Sequence, residues 1–161
     1  MKKITPELVD NIVVNFEQLT DEKIESLIQE LEQQQPASLA YILSEDFEAL
    51  GDEESEILLL DALMLWQIIN QGYEQVNVPD SEKVDQLQFD NWKTSEELKA
   101  TKGQSFDDFV EPMIADYPED ELLYFVLDTL IDEDDEEDMN SESKLPIFIA
   151  LKTLCDGWIL S

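Results

Sequence analysis

The chain has 161 residues, 43% of them hydrophobic, and its 40 acids face nine basic residues for a formal net charge of −31. That length fits one domain burying roughly two thirds of its unfolded surface, and the hydrophobic content is too high for a disordered acidic tail. All nine basic residues are lysines, with no arginine and no histidine; this excludes direct nucleic-acid binding, which needs a basic stripe and bidentate phosphate readers, and the same charge repels anionic membranes.

Met1-Lys2-Lys3 passes at once to Ile4-Thr5-Pro6-Glu7 and Asp10. No apolar run of the length a secretion signal needs is present, so the expected location is cytoplasmic. Thr5 and Pro6 open a first helix with an apolar stripe at Leu8, Ile12, Val13, Phe16 and Leu19. Thr20 with Asp21 and Glu22 caps a second, carrying Ile24, Leu27, Ile28 and Leu31 and stopping before Pro36. A third is expected from Pro36 through Leu39, Ile42, Phe47 and Leu50, closed by Gly51. Asp52 to Glu56 begin a long fourth helix through Ile57, Leu60, Leu63 and Trp66, ended by Gly72. Its apolar circumference makes it central. The stretch Ile57 to Ile69 is about half the length needed to span a bilayer and contains Asp61, so it reads as core.

Tyr73 to Pro79 is expected as a loop and an internal hinge. A weaker helix capped at Asp80 or Ser81 follows, with Val84, Leu87 and Trp92, then a short turn near Thr94 to Lys99. Ser105 is expected to cap a helix with Phe106, Phe109, Val110, Met113 and Ile114. Pro118-Glu119-Asp120-Glu121 opens the next, with Leu122, Phe125, Val126 and Leu130. After an acidic loop over 132–143, Leu145 to Leu160 forms a last apolar helix with Ile149, Leu151, Leu154 and Trp158. With only four glycines and six prolines, tight turns are too few for a sandwich or barrel. The expected fold is all-α, a single compact domain over 1–161 with about seven or eight helices.

The halves 1–72 and 80–161 also invite comparison as a degenerate repeat. Ile24, Leu27, Ile28, Leu31 and Pro36 fall on Phe106, Phe109, Val110, Met113 and Pro118 at a constant offset of 82. Ile57, Leu59 and Trp66 fall on Ile149, Leu151 and Trp158 at an offset of 92. Paired helical hairpins with HEAT-like or orthogonal-bundle packing would follow from a duplication; chance register between amphipathic helices is the alternative.

Acids at Asp21-Glu22, Asp52-Glu53-Glu54, Glu96-Glu97, Asp107-Asp108 and Glu119-Asp120-Glu121 fall at expected helix starts, where carboxylates favour the macrodipole. The run Asp132, Glu133, Asp134, Asp135, Glu136, Glu137 and Asp138 instead follows a helix C-terminus, where negative charge is disfavoured. It reads as a solvated loop, a docking site for a basic partner, or a weak cation site. An EF-hand counted from Asp132 fails, because Glu137 and Ser143 stand where glycine and glutamate are required.

Asp61 sits on the apolar face of the most buried helix, where an unpaired carboxylate is costly, and a hydrogen-bonding lysine or tyrosine hydroxyl is expected beside it. Without histidine there is no Ser-His-Asp triad, Cys-His pair, di-iron helix or zinc helix, and no glycine-rich phosphate loop occurs. No cofactor is expected. The lone Cys155 reads as a core thiol, and no internal disulfide can form. Trp66 and Trp158 read as core, while Trp92, between Asn91 and Lys93, is the candidate surface anchor. The expected function is a noncatalytic protein-interaction or scaffold domain whose partner is another protein, basic in character, with a homodimer compatible. The competing reading is an acidic inhibitor, immunity protein or nucleic-acid mimic that fills a basic cleft.

Overall fold

Local capping chemistry starts the fold. In the computed structural model, which describes residues 3–103, 106–130 and 141–160, Thr5 Oγ1 accepts the Leu8 amide at 3.1 Å and opens α1, Pro6–Glu17. Thr20 Oγ1 accepts the Lys23 amide at 3.3 Å and opens α2, Asp21–Gln34. Each hydroxyl satisfies an amide that the helix cannot, and each fixes the chain's entry. Asp80 does the same for α5, Ser81–Lys102, accepting from the Lys83 amide at 2.8 Å. The remaining helices are α3 (Pro36–Ile42), α4 (Asp52–Gly72), α6 (Phe106–Ala115), α7 (Asp120–Leu130) and α8 (Ser141–Ile159). Together the eight make one all-helical domain, with no strand among the described residues.

Several boundaries differ from the sequence expectation. The third helix stops at Ile42, and a single 3-10 turn, Glu45–Phe47, follows it. Ser44 causes the break: its backbone is extended and its hydroxyl accepts the Asp46 amide, the side-chain competition that makes serine a turn former. Gly51 therefore does not close that helix. It caps α4 instead, and its amide donates to Glu54 Oε1 at 2.9 Å. The turn expected near Thr94 to Lys99 is absent, because α5 runs unbroken to Lys102. Ser95 is fully buried within it and donates to the Trp92 carbonyl at 2.7 Å, so tertiary packing overrides a weak local pattern. Glu96 and Glu97 consequently lie exposed in a helix interior rather than at a start. Gly103, at φ 134°, ends α5 in a backbone region that other residues rarely adopt. The expected cap Ser105 lies outside the described residues. So does the acidic run, and α8 begins at Ser141, inside the segment expected as the acidic loop.

The interior is organised around α4 and α8, which pack against each other and between them touch α1, α2, α5, α6 and α7. At their crossing Trp66 and Trp158, both buried, meet edge to face with ring centroids 5.1 Å apart. The Trp158 indole N–H donates to Ser38 Oγ at 3.1 Å, satisfying it on α3. The most extensive pairing is α5 against α8. Cys155, on α8, is fully buried, and burial pushes its thiol well above the ordinary range.

The segment expected as a hinge is fastened. The Asn77 amide donates to the Trp158 carbonyl at 2.9 Å, and Gln35 Nε2 donates to the Asn77 carbonyl at 2.7 Å. Two residues on, Pro79 packs so tightly on α8 that a Cβ at Gly157 would lie 2.8 Å from its Cγ. That contact accounts for a glycine within the last turn of α8, where a helical glycine otherwise costs up to about 1 kcal/mol relative to alanine.

Glu119 departs furthest from its expected role. Read as a helix-start acid, it is 2% exposed and reaches across the fold to accept the Lys3 amide at 3.0 Å and the Ile4 amide at 3.3 Å. The Tyr73 hydroxyl also donates to it, and the Lys3 ammonium lies 4.9 Å from the Tyr73 ring centroid. One carboxylate thus ties the segment before α1 to the end of α4 and the start of α7. Glu119→Ala is expected to destabilise the protein by about 3 kcal/mol, since several hydrogen bonds to a charged group go at once. Glu119→Gln should cost less, because its amide oxygen still accepts. Hydrogen exchange at the Lys3 and Ile4 amides, beside a denaturant melt, reads both effects; unchanged protection in Glu119→Ala contradicts the anchoring role.

Candidate docking groove

Helices α1 and α7 lie side by side, and each buries only part of its apolar surface. On α1, Val9 and Ile12 are buried, and the stripe beside them runs Pro6, Asp10, Val13 and Val14. On α7, Leu122, Leu123, Phe125, Val126 and Leu130 are buried, and the groove is lined by Phe125 together with Glu121, Tyr124, Asp128 and Thr129. Both stripes follow the three- and four-residue spacing of a single helix face. They enclose an open groove of about 570 Å³ between them.

Its lining combines apolar and acidic side chains. Val14 is 53% exposed and Tyr124 43%, a large aliphatic and a large aromatic side chain facing solvent across the same groove. Asp10 and Asp128 are exposed, Glu121 is half-buried, and no lysine is among the lining residues. A second groove, of about 320 Å³, lies between α1, α2 and α4. Phe16, Leu19 and Leu27 line it with Asn15, Gln67, Gln71 and Lys23. It carries no acid, so it lacks the charge pattern of the first.

Behind the α1/α7 groove stands Asp61, 3% exposed on α4. Thr129 Oγ1 lies 2.5 Å from Asp61 Oδ2 and 2.8 Å from the Val126 carbonyl oxygen. A hydroxyl has one hydrogen to give. Both contacts are hydrogen bonds together only when Asp61 keeps its proton, so that the acid donates to Thr129 and Thr129 donates to Val126. Burial raises the Asp61 pKa from 3.8 to about 7, with the Thr129 hydroxyl pulling the other way. The partner expected from sequence was a lysine or a tyrosine hydroxyl; it is a threonine 68 residues away.

The second buried polar cluster is structural in form. Asn91, Thr153 and Asp156 are each at most 5% exposed and bond with Lys152 and Tyr117. Asp156 has a partner on each oxygen. Among the described residues no group of acids or thiols is arranged to hold a metal ion, and no helix is long and apolar enough to cross a membrane.

Of the site residues expected from sequence, Asp132 to Asp138 lie outside the described residues. Trp92 is half-buried and packs against the core from α5. The more exposed aromatic on that helix is Phe89, three residues earlier and 63% exposed. Sequence reasoning placed Val13 on the core-facing stripe of α1 and passed over Val14, Tyr124 and Asp128. Val14 follows Val13 about 100° further round the helix, beyond the buried line of Val9 and Ile12. No protein-family model matches the chain, no curated protein matches it, and no solved structure matches it.

Proposed function

We propose that this chain is a noncatalytic protein-interaction domain and that the α1/α7 groove receives a segment of another protein. One observation carries the reading: two helices line an open groove in which Val14 and Tyr124 face solvent beside Asp10, Glu121 and Asp128. Exposed apolar surface rimmed by polar residues is the ordinary form of a protein-binding site, and tyrosine is a frequent anchor in one. A net charge of −31 favours a basic partner and works against nucleic acid and anionic lipid. A lone, buried thiol suits a reducing setting, and we place the domain in the cytoplasm.

The test is capture of partners by the full chain beside a Val14→Ser/Tyr124→Ser variant, which keeps the charge and removes the two exposed apolar side chains. A partner held by the wild type in salt on the order of 0.5 M and lost by the variant is the expected result, because apolar contacts are not screened. Capture that vanishes with salt and ignores the variant would speak instead for the acidic inhibitor or nucleic-acid mimic.

A further inference from the structure

We propose that the occupant of the α1/α7 groove is a basic amphipathic α-helix of a partner protein. The inference rests on the interaction reading above and adds the partner's chemistry and shape.

The walls argue for a helix. Groove-lining positions run from Pro6 to Val14 on α1 and from Glu121 to Thr129 on α7. At 1.5 Å per residue each stripe is about 12 Å long, roughly two turns. A channel between two helices is the seat that a third helix fills with anchors at i, i+3, i+4 and i+7. The competing peptide mode adds a strand to a sheet edge, and no strand exists among the described residues to receive one.

The acidic lining argues for positive charge. Asp10, Glu121 and Asp128 border the groove from both helices, and no lysine lines it to answer them. An occupant with lysine or arginine flanking its apolar stripe neutralises these acids and meets Val14 and Tyr124 with its anchors. A second copy of this chain itself carries a net charge of −31, and like charges across an interface cost several kcal/mol.

Three labelled synthetic peptides of about 18 residues test this by fluorescence anisotropy against the full chain. The first has leucines at i, i+3, i+4 and i+7 with lysine and arginine flanks; the second is its scramble; the third keeps the leucines and carries glutamate flanks. The first should bind at least about tenfold more tightly than either of the others near 0.15 M salt. Tyr124→Ala should weaken it by about tenfold, and Asp10→Asn/Asp128→Asn should reduce its salt dependence, with circular dichroism confirming that each variant folds.

Equal binding of the first peptide and its scramble overturns the proposal, since charge alone would then suffice. So does binding of the first peptide that no groove substitution changes. If all three peptides fail while Val14→Ser/Tyr124→Ser still abolishes partner capture, the occupant is not a basic helix but the interaction reading stands. If both experiments fail, the two fall together.

Discussion

Asp156→Leu is expected to destabilise the protein by about 3 to 5 kcal/mol, and adding Lys152→Met to the same chain should restore much of that loss. Asp156 Oδ2 accepts Lys152 Nζ at 3.0 Å and Asn91 Nδ2 at 3.0 Å, while Oδ1 accepts the Tyr117 hydroxyl at 2.8 Å. Lys152 Nζ also donates to Asn91 Oδ1 at 2.7 Å, and the second Asn91 N–H goes to Thr153 Oγ1 at 3.0 Å. The ammonium further lies 5.2 Å from the Tyr117 ring centroid. These bonds join α5, α8 and the turn after α6. Removing the carboxylate alone strands a lysine whose side chain is only 14% exposed, together with a buried hydroxyl and amide. Removing both charges leaves only the neutral groups short of a partner. Equilibrium unfolding in denaturant at neutral pH, run as a double-mutant cycle, measures the coupling. A single substitution costing under about 1 kcal/mol, or a double variant weaker than both singles, would show the pair to be incidental.

That cluster also marks where reading the sequence stopped. Lys152 and Asp156 are four apart on α8 and could be paired from sequence, yet Asn91 and Tyr117 arrive from 61 and 39 residues away. Local chemistry was legible where it is self-contained. Thr5, Thr20 and Asp80 cap the helices expected of them because each acts on an amide three residues on. The break at Ser44 was missed because its hydroxyl serves a turn or a helix equally well until the surroundings decide. Glu119 was read as a cap for the same reason: next to a helix start, an acid looks like a cap unless something distant claims it. The groove was half legible. The apolar stripes of α1 and α7 were visible, but which edge of each stripe stays uncovered depends on where α4 lies beneath them. Asp61 was recognised as out of place by its apolar neighbours, and its partner was not, since nothing local points to Thr129.

Asp61 gives the second large effect, and its sign follows from the proton count. The folded-state pKa is raised from 3.8 to about 7, so between those values the folded protein holds a proton that the unfolded chain releases. Stability from this group is therefore complete below pH 3.8, declines as pH rises, and levels off once pH passes about 7. A shift of that size corresponds to about 2.5 kcal/mol lost between pH 5 and pH 8. Asp61→Asn removes the titration but keeps the bonding, because its amide N–H donates to Thr129 Oγ1 and leaves the threonine hydrogen for Val126. The variant should accordingly gain on the wild type steadily from pH 5 to pH 7 and hold a constant margin above. The comparison must be with the variant, since the chain's other carboxylates also repel one another more as pH rises. Parallel stability curves for the two proteins would mean that Asp61 is ionised throughout and that Thr129 gives its only hydrogen to the carboxylate. In that event the 2.8 Å approach to Val126 is a contact without a hydrogen bond. A margin that opens with pH means instead that a neutral acid on α4 holds Thr129, a residue that lines the α1/α7 groove, in its bond to its own helix.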